Sequence, residues 1–184
     1  REAITTYLSR LKQTYRPTVT IVNAENAAHG KGLTEKIYKD LLREGVDFMT
    51  MGNHTYGQRQ IYDFIDSANR MVRPANFPEE APGVGMRFIQ INEIKLAIIN
   101  LQGRAFMQDI DDPFKKADQL IEEAKKEGLL TNEAVLSPGM MHGIVDPENC
   151  RIVPYSELVK KCKIDIESGQ RYLEVIINIT FVQK

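Results

Sequence analysis

Two short blocks gather the residue types that bind metals and move protons. They are Asn23-Ala24-Glu25-Asn26-Ala27-Ala28-His29-Gly30 and Met51-Gly52-Asn53-His54. Each follows an apolar run that reads as a buried strand, Val19–Val22 and Phe48–Met51. In an open α/β sheet, ligands bind outside the carboxyl ends of the strands. A carboxylate, amides and two imidazoles would then converge on one sheet edge, a set suited to hard or borderline divalent metals and phosphate chemistry. Each residue also has an ordinary use. A lone loop glutamate such as Glu25 is mostly solvated, Gly52-Asn53 suits a turn, and an isolated histidine such as His54 is most often packed or exposed without a chemical role.

The elements that must position these residues are legible in the periodicity. Ile4, Tyr7, Leu8 and Leu11 recur at helical spacing and predict one apolar face, ended by Arg16-Pro17. Thr18–Asn23 predicts a β-branched strand. A helix follows from about Thr34 to Glu44, with Ile37, Tyr38, Leu41 and Leu42 inward and Gly45 as its C-terminal cap. Phe48–Met51 is the next strand and Gln58–Ala68 the next helix, through Ile61, Phe64 and Ile65. This alternation implies right-handed βαβ units, with Val19–Val22 and Phe48–Met51 as adjacent parallel strands.

Met86–Ile91 and Lys95–Asn100 predict a hairpin about Asn92-Glu93. Asp112 caps a helix with Pro113 at its first position, which carries the apolar residues Phe114, Ala117, Leu120, Ile121 and Ala124 on to Gly128. Beyond Gly128 the pattern is less regular. It reads as a short strand at Ala134–Leu136, a Gly/Pro-rich loop, a helix Tyr155–Lys161, and strands near Lys163–Ile166 and Tyr172–Val182 joined at Ser168-Gly169.

Composition narrows the function classes. A chain of 184 residues with 42% hydrophobic and 27% charged content predicts a single globular domain, 1–184. A net charge of −1 argues against sequence-independent nucleic-acid binding, which needs a basic face. No apolar run reaches the length of a membrane helix. Cys150 and Cys162 form no metal-like cluster and read as reduced thiols. With no secretory signal in view, a cytoplasmic location is expected.

Gly52-Asn53-His54 after a strand resembles the calcineurin-like metallophosphoesterases. The block Asn23-x-Glu25-Asn26-Ala27-Ala28-His29-Gly30, with Glu25 where most of that superfamily has Asp, is similar to its YmdB-like branch. Val72-Arg73-Pro74-Ala75-Asn76-Phe77-Pro78, Ile99-Asn100-Leu101-Gln102-Gly103-Arg104 and Asp111-Asp112-Pro113-Phe114 extend the match. The resemblance is dense over 1–128 and weak over 129–184. It implies an α/β layered fold, sheets flanked by helices. Relative to the family, the chain reads as incomplete. A first strand ending in Gly-Asp, and a His-bearing segment with Gly-Thr-His-Thr-His near Gly128–Asn132, are not found. Glu133–Met141 resembles a later segment of the family.

The implied activity is a metal-dependent phosphodiesterase hydrolysing 2′,3′-cyclic nucleotides, in which metal-activated hydroxide attacks phosphorus. By resemblance Glu25 and Asn53 are metal ligands, with Glu25 bridging, and His54 is the general acid. Asn26 would orient Glu25 or the phosphate, and His29 would form a supporting hydrogen bond near the metal. Two divalent ions are implied for the complete enzyme, iron or manganese before magnesium, because imidazole favours transition metals. With Glu25 and Asn53 as the ligands in hand, weak or partial binding is expected here. Arg73 and Arg104 read equally as phosphate ligands and as loop arginines paired with a carboxylate; His142 matches no ligand. The expected partner is a small cyclic nucleotide or phosphodiester, with no membrane and no sequence-specific nucleic acid, and the chain is expected to form a homo-oligomer. The alternative is an inactive remnant serving as a partner-binding or oligomerisation module, because lost segments would expose sheet edges.

Overall fold

The structure, a computed structural model, describes residues 2–17, 19–91, 94–104, 107, 109–127 and the strands 134–139, 143–146, 151–154 and 176–183. The chain opens on α1 (Glu2–Tyr15), then alternates β1 (Ile21–Asn23), α2 (Glu35–Arg43), β2 (Phe48–Thr50), α3 (Ile61–Phe64) with a 3-10 turn (Ile65–Ser67), and β3 (Met71–Val72). β1, β2 and β3 form a parallel sheet in that order, with Ile21 opposite Phe48 and Asn23 opposite Thr50. The expected adjacency of the first two strands is therefore present, with β1 shorter than expected, starting at Ile21.

A second sheet holds β4 (Met86–Ile91), β5 (Ile94–Gln102), β9 (Ile176–Gln183) and β6 (Ala134–Gly139), in the order β4-β5-β9-β6, and every pairing is antiparallel. Between β5 and β6 in sequence lies α4 (Pro113–Lys126). β7 (Gly143–Asp146) and β8 (Arg151–Pro154) make a separate antiparallel pair.

Strand alternation sorts the layers. On β2 and just past its end, Met49 and Met51 pack with Leu8, Ile37, Leu41, Ile61 and Phe64 from the helices, while Phe48 turns to the other face and joins Val72 and Ile98. On β5, Ile98 meets the parallel sheet, whereas Ala97, Ile99 and Leu101 face Ala124 and the α4 side chains Ala117, Leu120 and Ile121. The result is helix, parallel sheet, antiparallel sheet, helix. β5 is buried on both faces, which explains its near-continuous apolar run.

Several expectations need correction. On α1, Leu8 is buried and Ile4 packs against the core, but Tyr7 and Leu11 are exposed. The helix expected over Gln58–Ala68 is shorter: Ile61, Tyr62 and Asp63 donate to the carbonyls three residues back, so its start is a series of turns. Phe114 is 71% exposed, because Pro113 takes the buried place in the first turn of α4. The strand expected at Ala134–Leu136 runs on to Gly139, and part of the expected loop after it is the β7–β8 hairpin. Of the strand expected near Tyr172–Val182, Ile176 to Val182 lie in β9, and residues 172–175 lie outside the described residues. Helix Tyr155–Lys161, strand Lys163–Ile166, the Ser168-Gly169 turn, His142, Cys150, Cys162 and the Gly128–Asn132 junction lie outside the described residues.

Candidate active site at the parallel strand ends

The loops that leave β1 and β2 emerge side by side, because Asn23 and Thr50 are register partners and Ala24 N–H donates to Thr50 O at 2.9 Å. The first loop folds as consecutive turns. Ala27 N–H donates to Ala24 O, Gly30 N–H to Asn26 O, and Gly32 N–H to Glu25 O. Asn23 Oδ1 accepts from Glu25 N at 3.2 Å, so the strand-end amide fixes the direction in which Glu25 leaves. Gly32 has φ +80, and a Cβ there would lie 2.8 Å from Gln58 N of the second loop. The two loops therefore touch backbone to backbone at a position that tolerates glycine. Gln58 fastens the contact by donating to Lys31 O at 2.7 Å and Ala28 O at 3.4 Å.

This docking brings three of the predicted residues together. Glu25 is 0% exposed, and its Oε2 accepts from His54 N–H at 3.4 Å. His54 Nδ1 lies 2.7 Å from Asn26 Oδ1. An amide oxygen can accept but not donate, so Nδ1 carries the proton in this bond. Nε2 is then the ring nitrogen left for chemistry. Asn26 thus holds the imidazole, a role the sequence reading missed when it turned Asn26 toward Glu25 or phosphate. His29 sits exposed on the first loop with φ 54, a left-handed conformation in which histidine is less rare than most residues.

Asn53 is half-buried, and its Oδ1 is fully buried with no hydrogen-bond partner among the described residues. A buried amide oxygen costs free energy unless something donates to it or coordinates it. Together with the buried Glu25 carboxylate, it suits a hard or borderline divalent cation. Among the described residues, no group of three or more His, Cys, Asp or Glu side chains could hold a metal ion. The donors present fit part of one metal's shell and not a binuclear centre.

The two arginines have other occupations. Arg73 is 5% exposed and donates to Pro74 O at 2.7 Å and Ala81 O at 3.0 Å, so its guanidinium braces the Pro74–Pro82 loop. Arg104 lies 3.5 Å from Asp112 Oδ2, the carboxylate-paired alternative. Tyr56, two residues past His54, donates to Pro82 O at 2.7 Å; burial pushes its phenol up, so it stays protonated as a donor.

A family model described as YmdB-like protein matches residues 1–135. Over 126 residues the chain is 56% identical to a "2',3'-cyclic-nucleotide 2'-phosphodiesterase" of Bacillus subtilis, covering 68% of this chain and 48% of that protein. A stretch of 85 residues is 71% identical to human microtubule-actin cross-linking factor 1, covering 46% of this chain and 1% of that protein. A crystal structure described as a novel phosphatase of Mycoplasma pneumoniae is 35% identical and superposes with a TM-score of 0.62, covering 66% of this chain and 46% of that one. The chain thus spans about half the length of these two bacterial relatives. On a match over 135 of its 184 residues, the chain belongs to the YmdB-like protein family.

Proposed function

We propose that this chain carries the proton-donating side, and part of the metal-binding side, of a phosphodiesterase that opens 2′,3′-cyclic nucleotides. The observation that supports this most directly is the closure of the two strand-end loops on one histidine. His54 gives its backbone N–H to Glu25 and its ring Nδ1–H to Asn26. Hydrolysis of a cyclic phosphodiester adds a water oxygen to phosphorus, breaks one ribose P–O bond and leaves an alkoxide that must be protonated. In the cationic ring, Nε2–H supplies that proton while Nδ1–H stays on Asn26. An imidazole, which can hold a proton on either ring nitrogen, suits the task.

Glu25 and Asn53 would hold the metal through oxygen, with iron or manganese as the expected ions. When bound, such ions polarise the phosphoryl group and lower the pKa of water. His29, exposed on the same loop, would support the metal or phosphate by a hydrogen bond. The residues 1–184 act as one domain in this reading, in the cytoplasm, on a small phosphodiester. No helix among the described residues is long and apolar enough to cross a membrane.

The test is hydrolysis of a 2′,3′-cyclic nucleotide by the full chain with manganese, with iron and with chelator, alongside elemental analysis. Weak, sub-stoichiometric metal and metal-dependent turnover are expected. Glu25→Gln should lower both together. Two tightly held ions would overturn the ligand inventory, and turnover undiminished by chelator would overturn the metal role.

A second reading, a module that binds a partner or a second copy, is favoured by one observation. Among the described residues β1 pairs with β2 alone, and an edge strand offers its free backbone to another strand. Sedimentation distinguishes the two: a dimer without turnover supports the module, and turnover by a monomer supports the enzyme.

A further inference from the structure

We infer that Asn100, on the antiparallel sheet, is a positioning residue for the Gly52-Asn53-His54 turn. Along the face of β5 that looks toward the parallel sheet, Ile98 is succeeded by Asn100 and then Gln102. The apolar contact between the sheets thus gives way to amides at the strand end nearest the site. Asn100 is 0% exposed. Its side-chain Nδ2 donates to Met51 O, and more weakly to Val72 O at 3.4 Å. Its backbone is committed as well, donating to Gly85 O at 3.1 Å and accepting from Ala75 N at 2.7 Å.

Met51 O belongs to the peptide that leads into Gly52. The Met51 N–H is held by Val72 O at 2.9 Å, so Asn100 and β3 grip this residue from both ends. Beyond it the chain has no strand partner among the described residues and turns at once, with Thr55 N–H closing on Gly52 O at 2.9 Å. The direction in which Asn53 and His54 leave the sheet is set at this peptide. Removing the donor leaves Met51 O, a buried carbonyl, to find another partner by rotating its peptide plane. That rotation moves His54 N away from Glu25 and the ring away from Asn26.

The inference rests on the reading of His54 as proton donor, and its test separates the two. Asn100→Leu keeps the volume and removes the donor; Asn100→Asp keeps the shape and replaces the donor with an acceptor. The chain has three histidines, so ring nitrogen and carbon resonances can be assigned by single substitutions. In the folded variants the His54 ring signals should shift while those of His29 stay in place. On a 2′,3′-cyclic nucleotide, kcat should fall by roughly 10- to 100-fold with KM little changed, as expected for a catalytic group displaced by about 1 Å.

Shifted His54 signals in a chain whose unsubstituted form has no turnover would uphold the positioning and remove the catalytic reading. Unmoved His54 signals in a folded Asn100→Asp chain would overturn the positioning, whatever the turnover. Loss of fold in both variants would also overturn it, since Asn100 would then serve stability alone.

Discussion

The strands of the parallel sheet are three, three and two residues long, whereas β4, β5 and β9 run to six, nine and eight. The short strands carry the proposed site residues at their ends. The long ones carry none of the proposed site residues, yet β5 is buried on both faces and reaches across to the loop before His54. A strand of three residues sets a direction and little more. Beyond it, position depends on loops fastened to each other and to a framework that does not move with them. The division predicts that damage to one region reads out as activity, and damage to the other, except at Asn100 where the two meet, as stability.

The largest expected effect tests the first half of that division. In an active form, His54→Ala should lower turnover on 2′,3′-cyclic nucleotides by roughly 10²–10⁴-fold, the usual scale of general acid catalysis. Bound metal and unfolding midpoint should be unchanged. The loss should shrink on bis-p-nitrophenyl phosphate, whose leaving group departs without a proton. Equal losses on both substrates, or loss of metal, would make His54 a ligand or a packing residue.

Leu101→Ala probes the framework. Leu101 is 1% exposed beneath α4, and truncating such a side chain costs about 2–5 kcal/mol. Denaturant unfolding should show the loss, with turnover per folded molecule little altered. Were turnover to collapse in molecules still folded, the two regions would be coupled more tightly than their contacts imply.

Gly32→Ala sits on the boundary. The left-handed backbone and the approach to Gln58 N at 2.8 Å should together cost about 1–3 kcal/mol. Because the strain falls where the loops meet, the His54–Asn26 hydrogen bond should loosen too, visible in the imidazole resonances. Thr34→Ala removes the Oγ1 that accepts from Ile37 N at 3.3 Å, and should cost about 1 kcal/mol by thermal unfolding, without a catalytic effect.

The smallest effect is one of pH. The N–H of Lys115, then that of Phe114, with the Arg104 guanidinium nearby, hold the Asp112 carboxyl below the usual carboxylate range. A lowered folded pKa contributes stability that is present above the unfolded value and lost as pH falls through the folded one. The Phe114 and Lys115 amides should therefore lose hydrogen-exchange protection, relative to the middle of α4, as acid protonates Asp112. Asp112→Asn should flatten that dependence.

How much of this was legible depends on how local the cause was. β1 and β2, the helix beginning near Thr34, the antiparallel pairing of β4 with β5 and the Asp112-Pro113 start of α4 are each written within a few residues, and the structure has all of them. Glu25, Asn26 and His54 announced themselves by type and spacing, and they meet. What Asn26 does was hidden, since its partner lies on another loop and no spacing encodes loop docking. Arg73 read equally as a phosphate ligand or the partner of a carboxylate, yet two backbone carbonyls take its guanidinium. Phe114 fits the helical stripe, but the periodicity cannot tell that Pro113 fills the buried place. Asn100 and Gln102 did leave a signal: amides alternating with aliphatics on a strand otherwise fit for burial.

The order β4-β5-β9-β6 also has a meaning in time. As the chain emerges from the ribosome, β1 to β3 with their helices can assemble from neighbours in sequence, and β4 can close on β5 as a hairpin. β6 has no such recourse, because its partner in the sheet is β9, made some forty residues later, and Leu136 must wait for Ile179. Until then β5 keeps one edge bare and β6 keeps both. The half of the molecule that carries the histidine can thus be shaped early, while the sheet that braces it through Asn100 must wait for β9, the interval in which a chaperone or a neighbouring chain would compete for those edges.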